Sequence, residues 1–157
     1  MLESLSWYHP LTDSEAGMID LTSTFGRMVK RHLNKEYFVW MTTVGSDLTP
    51  QPRPVWFIWD NDTVLIFSQA KAHKLKHLAH HSKVALHFNT PDELGEKDVV
   101  VILGEAIVDS KVPPAYKVPA YLKKYRTGIK GLGVSPEDFS NDYSVAIRVT
   151  PMSVRGW

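Results

Sequence analysis

Residues 63–81, TVLIFSQAKAHKLKHLAHH, set a hydroxyl, Ser68, at the end of a short apolar strand (Thr63–Phe67) and an ammonium, Lys74, in the first turns of the basic helix that follows. Those groups at that spacing suit a phosphate. A strand end followed by a helix start leaves backbone N–H groups unpaired and pointing one way, and the helix dipole adds roughly half a positive charge there. With about 100° of turn per residue, Leu75, Leu78 and Ala79 share one helix face and His73, His77, His80 and His81 lie on the other. Lys74 sits at the margin of the apolar stripe, from which its stem can carry the ammonium to the helix N-terminus. On charge alone, Lys71, Lys74 and Lys76 would equally make a solvated face; Ser68 at the strand end favours a site.

Other chemistries are weaker. His73, His77 and His81 form an i, i+4, i+8 row, but no carboxylate joins them at ligand spacing and no HExxH motif is present. The row faces away from the apolar stripe, so it reads as a solvated helix face and no metal site is expected. Trp40, Trp56 and Trp59 alternate along strands, which suits a barrel core better than a platform for nucleic-acid bases. Arg53 could meet an anionic substrate or close a salt bridge at a barrel rim. No acid–base pair or nucleophile stands out, so no catalytic residue is assigned; a bound cofactor that carries the chemistry would need none.

The chain has 157 residues, one domain's worth over 1–157, with 18 Lys+Arg against 17 Asp+Glu and a net charge of +1. Such a balance provides no global field for nucleic acid or an anionic membrane, so any anion must be held locally. The absence of cysteine excludes disulfides, Cys-ligated metal and thiol nucleophiles. No apolar run approaches a membrane span and MLESLSWYHP lacks a signal pattern, so a cytoplasmic protein is expected.

The elements that must position the anion site follow from periodicity. Residues 1–17 read as a loosely structured arm, and Ile19–Leu33 as an amphipathic helix stopping near Asn34. Tyr37–Val44 is a strand that turns at Gly45-Ser46-Asp47 into TPQPRPVWFIW. Prolines 50, 52 and 54 strip donors from one edge of that second strand, while the N–H groups of Gln51, Arg53 and Val55 remain for the preceding strand. The bare edge must face solvent, a barrel opening or a planar ligand. Asp60-Asn61-Asp62 turns into Thr63–Phe67; Lys83–Asn89 is a strand, 90–97 a polar loop, and Asp98–Asp109 a long strand with a bulge or bend at Gly104. Ala115–Arg126 is a helix kinked or delayed by Pro119, Gly128, Gly131 and Gly133 loosen the chain, and Ser135-Pro136 starts another helix. Tyr143–Thr150 is the last strand, ended by Pro151, with an apolar tail Met152–Trp157. Six strands with inserted helices and short antiparallel connections predict an antiparallel barrel decorated by helices, with an open sheet as the competitor.

RPVWF at 53–57, FSQAKAHK at 67–74 and LAHHSKVAL at 78–86, in that order, resemble the pyridoxamine 5′-phosphate oxidase-like family of FMN-binding split β-barrels, in particular its F420-dependent branch. The resemblance covers about residues 19–109 and, more weakly, the last strand and the VRGW ending. It implies a mainly β, six-stranded split barrel and a flavin- or deazaflavin-dependent oxidoreductase that passes hydride or two electrons to a small organic substrate. The implied cofactor is FMN, alternatively coenzyme F420. Arg53, Pro54, Val55 and Trp56 would lie along the ring system, with Phe67, Ser68 and Gln69 at the ribityl-phosphate end and His73 and Lys74 at the phosphate. Lys30, Arg31 and Lys35 would be convenient partners for the acidic tail of F420. The oxidases proper carry Ser-Arg-Lys where this chain has Ala72-His73-Lys74, and their C-terminal substrate pattern is not recognisable, so oxidation of pyridoxamine phosphate is not expected. A non-catalytic flavin- or haem-binding protein is the alternative, with His87 or His9 as axial ligand. The family also implies a homodimer with cofactor at the interface, where Trp157 would help exclude water.

Overall fold

The computed structural model describes residues 19–89 and 98–156; the expected arm at 1–17, the loop at 90–97, His9 and Trp157 lie outside the described residues. Strands β1 (Phe38–Val44), β2 (Pro50–Asp60), β3 (Thr63–Ser68), β4 (Lys83–His87), β5 (Val100–Val108) and β6 (Val145–Gly156) close an antiparallel barrel in the order β1-β2-β3-β6-β5-β4. Helices α1 (Thr24–Lys35), α2 (His73–His80), α3 (Pro119–Gly131) and α4 (Pro136–Asp142) decorate it. Among the described residues no helix is long and apolar enough to cross a membrane.

Strand alternation explains two apolar cores. One set of side chains, including Val39, Met41, Phe57, Ile66, Leu86, Ile102 and Ile147, points into the barrel, where Val29 and Leu33 of α1 join them. The opposite faces of β2, β3 and β6 present Ile58, Leu65, Phe67 and Ala146, which Tyr121, Tyr125 and Ile129 of α3 and Phe139 of α4 cover. Val64–Phe67 is accordingly buried on both faces, as its unbroken apolar run requires.

Turn chemistry sets the registers. Asn61 and Asp62 both take positive φ (47° and 57°), making a two-residue hairpin between β2 and β3, and Gly104 marks a register shift on β5. A Cβ at Gly104 would meet the carbonyl oxygen of Thr150 at 2.6 Å, so the close approach requires glycine.

Several boundaries differ from expectation. The first helix starts at Thr24 rather than Ile19, because Ser23 caps it by accepting the Gly26 N–H at 2.9 Å, and it runs past Asn34 to Lys35. β4 stops at His87, and β5 begins at Val100. Pro119 delays the helix rather than kinking it: Ala115–Lys117 forms a separate 3-10 turn, and α3 begins at Pro119, whose missing N–H matters little in a first turn. α3 then continues through Gly128. Pro151 does not end the last strand, since it lies opposite Gly104 at the β5 irregularity, where no regular ladder bond is demanded. Residues 153–156 are therefore paired with β5, with Met152 passed over at the irregularity.

Trp59 packs against the interior core, but Trp40 lies outside it, parallel to His87 at 6.2 Å, and Trp56 joins the outer layer. Hydrogen bonds from Tyr125 and Lys124 fasten that layer to the barrel. Tyr125 Oη accepts the Phe57 N–H at 2.7 Å and lies 2.6 Å from Phe57 O and 3.0 Å from Tyr37 O, occupying the rung that would follow the Phe38–Trp56 pair of β1 and β2. Lys124 Nζ also donates to Phe57 O at 2.9 Å and rests 3.8 Å from the centre of the Phe57 ring; burial lowers its pKa to about 8, with Glu36 acting the other way. Tyr125→Phe strands a buried N–H, so we expect it to cost about 1–3 kcal/mol by urea titration; a change below about 0.5 kcal/mol would show that the rung is dispensable.

Candidate active site

β2 pairs with β1 from Pro50 to Trp56 but with β3 only from Phe57 to Asp60. Pro50, Pro52 and Pro54 stand opposite Val44, Thr42 and Trp40, positions at which no bond to β1 is exchanged, so the donorless edge faces the β3 side. There the barrel splits. A cleft of ≈790 Å³ opens between this edge, the end of β3, α2 and the α3–α4 layer, within the size range of small-molecule sites.

The structure brings together every described residue expected along the ring system and the phosphate, but not those expected at the F420 tail or as a haem ligand. Arg53, Pro54, Val55 and Trp56 border the cleft from β2, Phe67 and Ser68 from β3, Gln69 from the following turn, and His73 and Lys74 from α2. Trp157 lies outside the described residues. Lys30, Arg31 and Lys35 do not border it, and Arg31 pairs with Asp98. His87 is also off the cleft, on β4 beside Trp40.

One end is cationic. Ser68 is buried, and among the described residues its hydroxyl makes only a long 3.3 Å contact to the Gln69 carbonyl, so it can be redirected to a ligand. Ala72, the residue before α2, supplies no side-chain cap to the first turn. Burial, and then the charge of Arg53, pull the Lys74 pKa below its ordinary 10.5. Neither cation has an ion-pair partner among the described residues. Two cations that repel across a half-buried space are what an anion would relieve.

His77 departs from the expected solvated face. It is half-buried and borders the cleft, with Nδ1 hydrogen-bonded at 2.8 Å to the hydroxyl of buried Thr43. The reason is that α2 lies against β1 as well as presenting Leu75 and Leu78 to the barrel core, so it buries two sides. Among the described residues no three His, Asp or Glu side chains converge on a possible metal position.

The other end is aromatic, and periodicity within single elements could not reveal it. Trp56 stacks on Tyr125 (4.6 Å, 5°) and on Phe139 (5.6 Å, 23°), and Phe139 stacks on Tyr143 (4.6 Å, 14°). Gly128 does not loosen the chain: a Cβ there would meet the Trp56 ring at 2.8 Å, so the bare helix face admits the indole. Tyr121, Phe139 and Tyr143 border the cleft with Phe38 and Leu132. Their signal in the sequence was aromatic enrichment over 116–143, but its destination depends on a long-range return to β2.

The family model for pyridoxamine 5′-phosphate oxidase matches residues 26–157. Solved structures share the fold: a conserved hypothetical protein from Mycobacterium tuberculosis (17% identity, 83% of this chain and 82% of that chain, TM-score 0.69); an F420 reductase (24%, 80% and 94%, TM-score 0.61); and a haem storage protein from Vibrio cholerae (12%, 83% and 92%, TM-score 0.58). No curated protein matches the chain in sequence.

The unpaired cations yield a prediction with a definite sign. Folded Lys74 releases its proton more readily than an unfolded lysine at 10.5, so the unfolded chain binds more protons as pH climbs through the folded-state value towards 10.5. Stability should rise over that window, and Lys74→Met should flatten the rise and melt higher at neutral pH. Inorganic phosphate should raise the melting temperature of the parent chain but not of the variant. A variant that melts lower at neutral pH would show that Lys74 has a partner in the fold.

Proposed function

We propose that this chain, which belongs to the pyridoxamine 5′-phosphate oxidase family, holds FMN, or alternatively coenzyme F420, in the split of its barrel and acts as an oxidoreductase on a small organic substrate. The observation that carries this reading is the meeting of Lys74, Arg53 and Ser68 at one end of a cleft walled by the donorless edge of β2. The residues fit the group. Lys74 and Arg53 balance a phosphate's charge, Ser68 and the uncapped start of α2 offer donors, and Arg53–Trp56 give a planar ring system an unpaired strand edge to lie along.

When bound, such a cofactor supplies the two-electron chemistry. The chain's own part is to bind, orient and exclude water. Lys74 and Arg53 anchor one end, the β2 edge fixes the plane, and Trp56, locked between Tyr125 and Phe139, keeps that edge rigid. His73 and His77 add ring nitrogens to the lining.

A second copy of the chain would complete the site, as a homodimer. Trp40, His87 and Val101 are aligned across β1, β4 and β5, giving the barrel a half-buried, largely apolar row. Ile107 and Val108 remain 58% and 54% exposed near the end of β5. Trp157, next in sequence after β6, would help exclude water from the shared site, as the family resemblance implies.

The deciding experiment is a titration of the full chain with FMN, F420 and riboflavin, followed by absorbance. Lys74→Ala should weaken FMN about tenfold or more while riboflavin, lacking the phosphate, is unaffected. Equal losses for FMN and riboflavin would remove Lys74 from the phosphate. A Soret band on adding haem, with no flavin or F420 uptake, would favour the non-catalytic alternative. Sedimentation should give a dimer, and Trp157→Ala should loosen FMN more than it lowers the melting temperature; a monomer that binds FMN equally tightly would overturn the shared site.

A further inference from the structure

At the aromatic end, Tyr121 has no exposed surface and borders the cleft, yet its hydroxyl has no hydrogen-bond partner among the described residues. Buried hydroxyls are nearly always paired, and an orphan calls for an explanation. Its ring neighbours do not supply a partner. Phe67 lies edge-on at 4.9 Å and Phe139 at 6.2 Å, and the hydroxyl of Tyr125, 4.7 Å away ring to ring, is committed to Phe57 and Tyr37. Burial, and then the nearby Tyr125, Tyr143 and Tyr37, raise the Tyr121 pKa far above its ordinary 10, which keeps the group neutral and able to donate at any working pH.

The surroundings narrow what could accept that hydrogen bond. The side chains bordering the cleft near Tyr121 are aromatic or aliphatic, and the rim carries two large apolar groups in water, Phe38 at 48% and Leu132 at 56% exposure. Neither Arg53 nor Lys74, the charged side chains that border the cleft, is among the groups that act electrostatically on Tyr121, which are Tyr125, Tyr143 and Tyr37. An ionic ligand would find no counter-charge beside Tyr121, and stacked rings favour a flat partner.

We propose that the aromatic end is a substrate subsite for a flat, uncharged, conjugated molecule bearing one hydrogen-bond acceptor, and that the acceptor oxygen or nitrogen takes the hydrogen bond of Tyr121. This rests on the reading of the cationic end as the cofactor's, since only then is the aromatic end left for a second molecule. Tyr121 is thereby a binding and specificity residue. A site built around a buried donor rejects an analogue that lacks the acceptor, because the donor is then left unpaired.

The test uses 2-acetylnaphthalene and 2-ethylnaphthalene, which match in ring and differ in one carbonyl oxygen. Affinities for both are measured on the full chain, without cofactor and with saturating FMN, in the parent and in Tyr121→Phe. The ketone-to-hydrocarbon affinity ratio should fall about tenfold in the variant, the loss of one hydrogen bond to a buried donor. Its melting temperature should be unchanged or higher, because the deleted hydroxyl satisfies nothing in the fold. An unchanged ratio overturns the subsite. So does a melting temperature lower by several degrees, which would reveal an internal partner, or a variant weakened for FMN alone, which would give the hydroxyl to the cofactor. Failure to take up FMN or F420 overturns the proposed function but leaves the cofactor-free ratio to be read by itself.

Discussion

Three missing N–H groups govern this molecule. Pro50, Pro52 and Pro54 leave β2 able to exchange bonds with β1 on one side and unable to build a ladder on the other, so the β2–β3 seam closes only from Phe57 onward. Everything near the cleft answers to that gap. α2 follows β3 after a short turn and brings Lys74 to it, while the α3–α4 layer lies against the same region and brings the aromatic wall. Where the β1–β2 ladder runs out at Phe38–Trp56, Tyr125 supplies the next rung from outside the sheet.

The gap also sets a tension between holding the fold and holding a ligand. Lys74 is half-buried with another cation as its electrostatic neighbour, an arrangement that weakens the fold and that only an anion offsets. The aromatic layer acts in the opposite sense. Phe67, Tyr121 and Phe139 are buried in the second core while bordering the cleft, so packing that stabilises the barrel also shapes the site. A residue with both duties can change only within narrow limits of volume and shape.

Features encoded within one element were legible in the sequence. The strand alternation, the Asn61-Asp62 hairpin, the proline edge and the Ser68–Lys74 spacing each depend on neighbours a few residues apart. Features that need two distant segments were not. Pro151 reads as a strand end until Gly104 is placed opposite it and the irregularity of β5 is seen to spare the missing donor. His77 reads as solvated on a wheel with one buried stripe, and only the seating of α2 against β1 gives it Thr43 as a partner. Gly128 reads as a loosener because nothing near it in sequence announces that Trp56 will lie against the helix.

The same division bears on how function is distributed along the chain. The cationic end is assembled from β2, β3 and α2, residues 51–77, where the family's motifs are concentrated. The aromatic end is contributed largely by residues 121–143, inserted between β5 and β6 and read in the sequence only as two helices joined by loosening glycines. The family model spans both ends, since it matches residues 26–157, and one fold can serve unrelated chemistries by changing the groups that line its cleft. Substrate identity is then to be sought in which polar groups the aromatic wall leaves unpaired, since apolar surface alone discriminates weakly and a buried donor strongly.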